Sequence, residues 1–236
     1  MSVAGWSLAD LRSAYIAHAV EEATAFASSV SSTAARTFGT VGVLGVSGGV
    51  GTTTVALALA EALQVKRLIE LSPPHASGLA GAATAELGER DGWRIGMRGG
   101  LELARRFHTV DAPMDVDGGA VVDLGVWTGE MPVVPVDRIV VVASCSVPSV
   151  RRLDACLQVL DSSALLVPVV TRAGLRLPRE VLGAAGPVLR AAFASGAVRV
   201  MPECRGLSLT GLTPDRLPRS LQHSAAGLAL ALKDNS

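Results

Sequence analysis

Residues 43–57 read Val43-Leu-Gly-Val-Ser47-Gly48-Gly49-Val50-Gly51-Thr52-Thr53-Thr54-Val-Ala-Leu57, and this order of residue types sets the architecture. An apolar run ends in a glycine cluster, and the cluster opens directly into a helix-forming segment. In a strand–turn–helix of this kind successive backbone N–H groups line one concavity, and the helix N-terminus adds about half a positive charge. Phosphate is the guest such a turn suits, and glycine admits the backbone angles and close approach it needs. A bare glycine cluster says little; its place between strand and helix gives it weight.

Outward from this turn, short β-branched runs alternate with helical stretches. The runs are Thr40–Val46, Arg67–Leu71, Ala120–Leu124, Arg138–Ser144, Leu165–Val170 and Ala197–Met201. Several are almost wholly apolar, as parallel strands covered on both faces are. Helices are expected at Thr53–Leu63, Val150–Leu160, Arg179–Ser195 and Ser220–Lys233. The rhythm predicts an α/β fold with a doubly wound, mostly parallel sheet over residues 37–236. Residues 72–117 carry no clear element apart from an amphipathic piece at Leu101–Phe107, and no internal repeat is visible.

The chain has 236 residues, 49% hydrophobic and 18% charged, enough apolar material for a sizeable core. Its 21 basic residues balance 21 acidic ones, which argues against charge-driven nucleic-acid binding. Lys66 and Lys233 are the only lysines and Asn235 the only asparagine. Cys145, Cys156 and Cys204 lie far apart, with no C-x-x-C pair, as reduced core thiols of a cytoplasmic protein do. The Arg-rich, Lys-poor, Ala/Gly/Val-heavy composition suits a GC-rich bacterial genome.

Residues 1–36 stand apart as an N-terminal helical arm or linker. Ser7-Leu-Ala-Asp10 resembles a capping box, and Leu8, Leu11, Tyr15, Ala19, Phe26 and Val30 recur at roughly helical spacing. Three readings stand for this arm: a helix packed on the domain, a partner-docking helix, or a membrane-surface helix, the last disfavoured because its polar face carries Glu21 and Glu22 and little positive charge. No signal peptide is expected, since no basic n-region precedes an apolar core. The uncharged window from Thr37 to Ala60 is long enough to span a bilayer, but its central glycine cluster argues against a transmembrane helix.

The glycine-rich segment resembles the deviant Walker A loop of the ParA/MinD family of P-loop ATPases, written K-G-G-x-G-K-T-T. The likeness runs from about Thr40 to Lys233. Arg67-Leu-Ile-Glu70-Leu-Ser72-Pro73-Pro74 is similar to the family's second strand and switch I, which usually ends D-x-D-P. Ala120-Val-Val-Asp123-Leu-Gly125 resembles the Walker B strand and the start of switch II. Asp137 to Leu153 resembles the fourth strand and its following helix. The resemblance implies a nucleotide at Gly48, Gly49, Val50, Gly51, Thr52, Thr53 and Thr54, with Mg²⁺ at Thr53 and Asp123.

Four polar positions depart from the family pattern. The lysine that reaches the β- and γ-phosphates aligns with Thr52, and the lysine that crosses to a partner subunit's nucleotide aligns with Ser47. The switch I aspartate pair becomes Glu70 and Ser72. The adenine-reading asparagine aligns with Thr171. A charge-assisted hydrogen bond is worth roughly 1.5–3 kcal/mol, so each missing lysine weakens triphosphate binding by about 10- to 100-fold. Hydrolysis suffers more, because phosphoryl transfer rests on positioning and charge stabilisation.

The expectation is a degenerate member: a non-hydrolysing or weakly nucleotide-binding scaffold or positioning protein acting through protein contacts. Secretion, pilus, plasmid-transfer and partition-related assembly are the settings the resemblance implies. Weakly bound ADP or ATP with Mg²⁺ is the expected cofactor, and no ATP-sandwich dimer is expected. The alternative is a working ATPase switch whose missing charge comes from an arginine, with Arg67, Arg151 and Arg172 flanking strands, or from a partner. Partner contacts are expected through residues 1–36 and the Trp93 loop, Gly92 to Gly100, where core packing of Trp93 is the competing reading. Arg151-Arg152 reads as a solvated helix face or a partner contact, and Asp111, Asp115 and Asp117 as a solvated turn. His18, His75, His108 and His223 share no ligand-like spacing, so no histidine metal site is expected.

Overall fold

A computed structural model of the chain describes residues 39–107, 119–130, 135–160, 165–174 and 176–234. The strands are β1 (Val41–Gly45), β2 (Arg67–Glu70), β3 (Ala85–Arg90), β4 (Trp93–Arg98), β5 (Leu101–Arg106), β6 (Val121–Val126), β7 (Arg138–Ser144), β8 (Leu165–Ala173) and β9 (Arg199–Pro202). The helices are α1 (Thr52–Leu63), α2 (Val147–Val159), α3 (Arg179–Gly183), α4 (Pro187–Ala194), α5 (Arg205–Thr210) and α6 (Arg219–Asp234). The arm expected at residues 1–36 and the acidic turn at Asp111, Asp115 and Asp117 lie outside the described residues.

The nine strands form one sheet in the order β3-β4-β5-β2-β6-β1-β7-β8-β9. From β5 to β9 every neighbouring pair is parallel, and β4 and β3 add an antiparallel extension at one edge. After β1 the chain builds outward on one side through β2, then returns through β6 and builds on the other side from β7. The strand order therefore reverses at β1, and the crevice at the C-terminal ends of strands beside such a reversal is where open α/β sheets bind ligands. All five residues of β1 are buried, as the apolar run requires.

Helix α1 follows directly. Val55 through Ala60 are all buried, because the helix is sandwiched between β6 and α6. Its alanines let it lie close to the sheet, and Gln64, left-handed at φ 57°, ends it with its N–H on the Ala60 and Glu61 carbonyls.

The Trp93 segment is not the flexible loop expected: it is a strand, β4, and it pairs with the amphipathic piece at Leu101–Phe107, of which Leu101–Arg106 forms β5. The turns explain both. Asp91 (φ 52°) and Gly92 (φ 81°) join β3 to β4 in a two-residue connection with positive φ at both positions, the geometry an Asp-Gly pair favours. Gly99-Gly100 makes the next hairpin. Trp93 is 3% exposed, packed with Ile69, Ile95, Ala104, Ala120 and Val122, so it belongs to the core. Arg98 pins this extension to the domain: its buried guanidinium meets Glu61 Oε1 at 2.6 Å and the carbonyls of Ala82 at 3.0 Å and Thr213 at 2.7 Å.

The single helix expected at Arg179–Ser195 is two, α3 and α4. Pro187 starts α4 at the position where its missing N–H costs nothing. Asp154 of α2 accepts the Leu189 amide at 2.8 Å, and a methyl group at Gly186 would sit 1.9 Å from the Asp154 carboxylate, so glycine is required there.

Candidate phosphate-binding turn and adjoining cavity

The turn between β1 and α1 takes its shape from Gly49 (φ 74°) and Gly51 (φ 90°), both left-handed. Side chains added at Gly48 or Gly49 would meet no atom within 4 Å, so the glycines keep an open face there. Gly51 caps α1 with backbone alone, and the first-turn amides of Thr52, Thr53 and Thr54 have no intrahelical carbonyl to bond. The seven expected turn residues, Gly48 to Thr54, are thus contiguous at the sheet's crevice.

The three threonines face different ways. Thr52, at the lysine position, is 9% exposed. Its hydroxyl lies over β1, where a methyl group at Gly45 would come within 2.1 Å of it. Thr53 turns toward Asp123 on β6, its hydroxyl favouring the charged form of that carboxylate. Thr54 borders a cavity described below.

Asp123 and Glu70 sit side by side, register partners on β6 and β2, and both are fully buried. Asp123 Oδ1 accepts the Gly125 amide at 2.9 Å. Its Oδ2 is buried without a well-formed hydrogen bond. Burial pushes the Asp123 carboxyl above the usual range, against the opposing pull of Thr53 and Gly125. Glu70 is also raised, first by burial and further by the neighbouring Asp123 charge. Three donors oppose that shift: Ser77 Oγ at 2.5 Å, Gly78 N at 2.7 Å and Leu79 N at 3.3 Å.

These bonds draw the loop after β2 down onto α1. A methyl group at Gly78 would lie 2.9 Å from Thr53 Cγ2 and 3.0 Å from its Oγ1. The Gly78 backbone therefore rests on the hydroxyl expected to face a metal. As a seat for the Mg²⁺ that the fold family implies, Asp123 and Thr53 offer hard oxygen donors, and the orphaned Oδ2 is an acceptor a cation would satisfy. By the chemistry of these donors the residues fit the ion, with the Gly78 backbone standing over Thr53. Among the described residues no cluster of three or more His, Cys, Asp or Glu is arranged to hold a metal by itself.

Thr171, at the position of the expected adenine reader, is 6% exposed and does something else. Its hydroxyl lies 2.6 Å from the carbonyl of Val50, with the Ala143 carbonyl second at 3.2 Å. It ties the end of β8 to the middle of the glycine turn. The next residue, Arg172, is left-handed at φ 55° and lines a cavity together with Gly51 and Thr54. Arg67 instead bonds Glu102 at 2.8 Å near the start of β2, and Arg151 is exposed on α2 beside Arg152, a solvated face. Of the three arginines considered, Arg172 is the one that shares a cavity with the turn. Sequence alone does not place the loop latch, the Thr171 hook or Arg172: the hook joins residues 121 apart, and the latch, though its bonds span only 7 to 9 residues, depends on how the loop after β2 closes on α1.

No protein-family profile and no curated protein matches the chain. Solved structures do. The MinD cell division protein of Aquifex aeolicus is 20% identical with a TM-score of 0.53, over 80% of this chain and 96% of its own. The septum site-determining protein MinD from Pyrococcus horikoshii OT3, complexed with Mg-ADP, is 14% identical with a TM-score of 0.51, over 83% and 94%. The cell division ATPase MinD of Pyrococcus furiosus is 15% identical with a TM-score of 0.50, over 84% and 100%. The fold is that of these MinD structures. No described helix is long and apolar enough to cross a membrane.

Proposed function

We propose that the chain is a degenerate ParA/MinD-like scaffold or positioning protein that acts through protein contacts and does not turn nucleotide over. A diphosphate or bare anion binds weakly at Gly48–Thr54. The observation that carries this reading is Thr52: where the family's phosphate lysine stands, a short hydroxyl side chain is packed against Gly45. No lysine lies nearby in sequence to replace it. The Gly78 backbone resting on Thr53 supports the same reading.

A Mg-ADP complex is known for one structural neighbour. In this chain Asp123 and Thr53 would hold Mg²⁺ accompanying a nucleotide, where it would neutralise phosphate charge. Ser47 carries no charge to cross into a partner's site, so ATP drives no sandwich dimer. Protein contact through residues 1–36 is part of the same proposal; the surface once assigned to Trp93 is not, because Trp93 is core.

The test is calorimetric titration with ATP and ADP, with and without Mg²⁺, beside a phosphate-release assay. Binding weaker than micromolar without ATP turnover is expected. Sustained Mg²⁺-dependent hydrolysis by the isolated chain overturns the reading and leaves a working switch that draws its charge from an arginine.

A further inference from the structure

Arg105, near the end of β5, has a buried guanidinium that is only partly satisfied. The residue is 5% exposed. Its Nη2 donates to the Glu86 carboxylate on β3, while its Nε is buried with no hydrogen-bond partner. An unpaired buried N–H on a charged group is costly, and native structures hold few of them. Gly96 of β4 lies beside the pair: a Cβ there would stand 3.5 Å from Glu86 Oε1. The guanidinium therefore reaches across β4 at a position with no side chain in its way.

A second carboxylate lies on the other side of Arg105. Its register partner on the neighbouring parallel strand, β2, is Glu70. Such partners share a face of the sheet, on strands about 4.8 Å apart. Glu70 is fully buried and holds Ser77, Gly78 and Leu79. Burial and the Asp123 charge push its carboxyl up, and hydrogen bonds from those three residues oppose them. A buried carboxylate held by hydrogen bonds and a buried guanidinium with an open Nε are thus neighbours, each turned to a different partner.

We propose that Glu70 is a two-state latch: it exchanges the amides of Gly78 and Leu79 for Arg105 Nε, and so releases the loop from Thr53. The new bond is charge-assisted and satisfies the orphaned donor, while the freed amides turn to water. Glu86 governs the exchange by holding Arg105 away in the state seen here. With its side chain 47% exposed, Glu86 is solvated at little cost once the guanidinium leaves. The antiparallel extension is thereby coupled to the Thr53–Asp123 pair, and a change at the β3 edge of the sheet is passed inward through Glu86 and Arg105.

The experiment is native-state hydrogen exchange on the full chain without nucleotide, so its failure leaves the proposed function untouched. Glu86→Ala removes the competing carboxylate from β3, outside the loop. The amides of Gly78 and Leu79 should then exchange about 5- to 30-fold faster than in wild type, with β1 and β7 unchanged. In an Arg105→Met background the same change should alter those rates by less than about 2-fold, since the second partner is gone. The crystal structure of Glu86→Ala, which needs no change at a buried residue, should show Glu70 within hydrogen-bond distance of Arg105 Nε.

Wild-type exchange at Gly78 and Leu79 in Glu86→Ala overturns the inference. So does an acceleration that survives in the Arg105→Met background, because Glu86 then acts on the loop without the arginine. Equal acceleration along β4 and β5 counts against it as well, as the extension has then loosened as a whole. If Arg105→Met does not fold, the Glu86→Ala structure decides: Glu70 still on Gly78, with Arg105 Nε still unpaired, refutes the exchange.

Discussion

Glu70 accepts the backbone amide of Gly78 at 2.7 Å, and that bond lays the loop after β2 onto Thr53. A carboxylate that the family pattern would place near nucleotide is here spent on the chain itself. It satisfies three donors of the loop and closes it over the hydroxyl beside Asp123. The consequence is a glycine turn with an open face at Gly48 and Gly49 while the Gly78 backbone stands over Thr53.

Removing that latch should free the loop without unfolding the domain. Glu70→Ala strips Ser77, Gly78 and Leu79 of their acceptor, at a cost of about 1–3 kcal/mol. Hydrogen exchange at residues 77–79 should accelerate at least about tenfold, with far smaller changes in β1 and β7, as expected for local opening. Glu70→Gln, which keeps an acceptor, should be milder. Equal acceleration throughout the sheet would mean that Glu70 supports the global fold instead.

The buried carboxylates set a pH dependence of definite sign. Asp123 and Glu70 both have carboxyls raised above their unfolded values, chiefly by burial. The native state therefore keeps protons that the unfolded state has released, and stability falls as pH rises from about the ordinary carboxylate range through the raised native values. Tm should decline over that window. In Asp123→Asn the decline should flatten and Tm at pH 7 should rise. A steeper decline in the variant would contradict the assignment.

Thr171→Val removes the hook on the glycine turn and leaves the Val50 carbonyl without its hydroxyl donor. The expected loss is about 1–3 kcal/mol, which for a domain of this size lowers Tm by several degrees, roughly 2–4 °C per kcal/mol. Thr171→Ser should restore most of it, since the hydroxyl is what bonds. Calorimetry on the three proteins decides; a fully stable valine variant would reduce the hook to a passive contact.

At the lysine position the direction reverses. Thr52→Lys should tighten ATP and ADP binding by about 10- to 100-fold through one charge-assisted contact, with no turnover gained. Gly45→Ala, which brings a methyl group within 2.1 Å of the Thr52 hydroxyl, should destabilise by about 1–3 kcal/mol. Titration and melting curves read both effects. Hydrolysis by wild type that Thr52→Lys abolishes would refute the scaffold reading.

Local pattern made the central sheet readable. The apolar runs at Thr40–Val46, Arg138–Ser144 and Leu165–Val170 hold strands because strands covered on both faces are apolar throughout, and the turn from Gly48 to Gly51 takes its shape from Gly49 and Gly51, whose positive φ favours glycine. The hairpin at Asp91-Gly92 was equally present in the residues. The amphipathic spacing of Leu101 and Leu103 leaves the element type open, since so short a segment fits a helical period about as well as an alternating one.

Chain order and residue type thus determined the α/β architecture, the position of the glycine turn and the lack of lysine in it, since each depends on neighbours within a few residues. Tertiary contacts decided the rest: that Glu70 latches Gly78 over Thr53, that Thr171 spends its hydroxyl on Val50, that Trp93 is core, and that Arg172 borders a cavity beside the turn while Arg67 pairs with Glu102. Side-chain roles of that kind follow from which strand ends share an edge and how the loops between them close, and that geometry exists only once β1, β2, β6 and β8 lie side by side in one sheet.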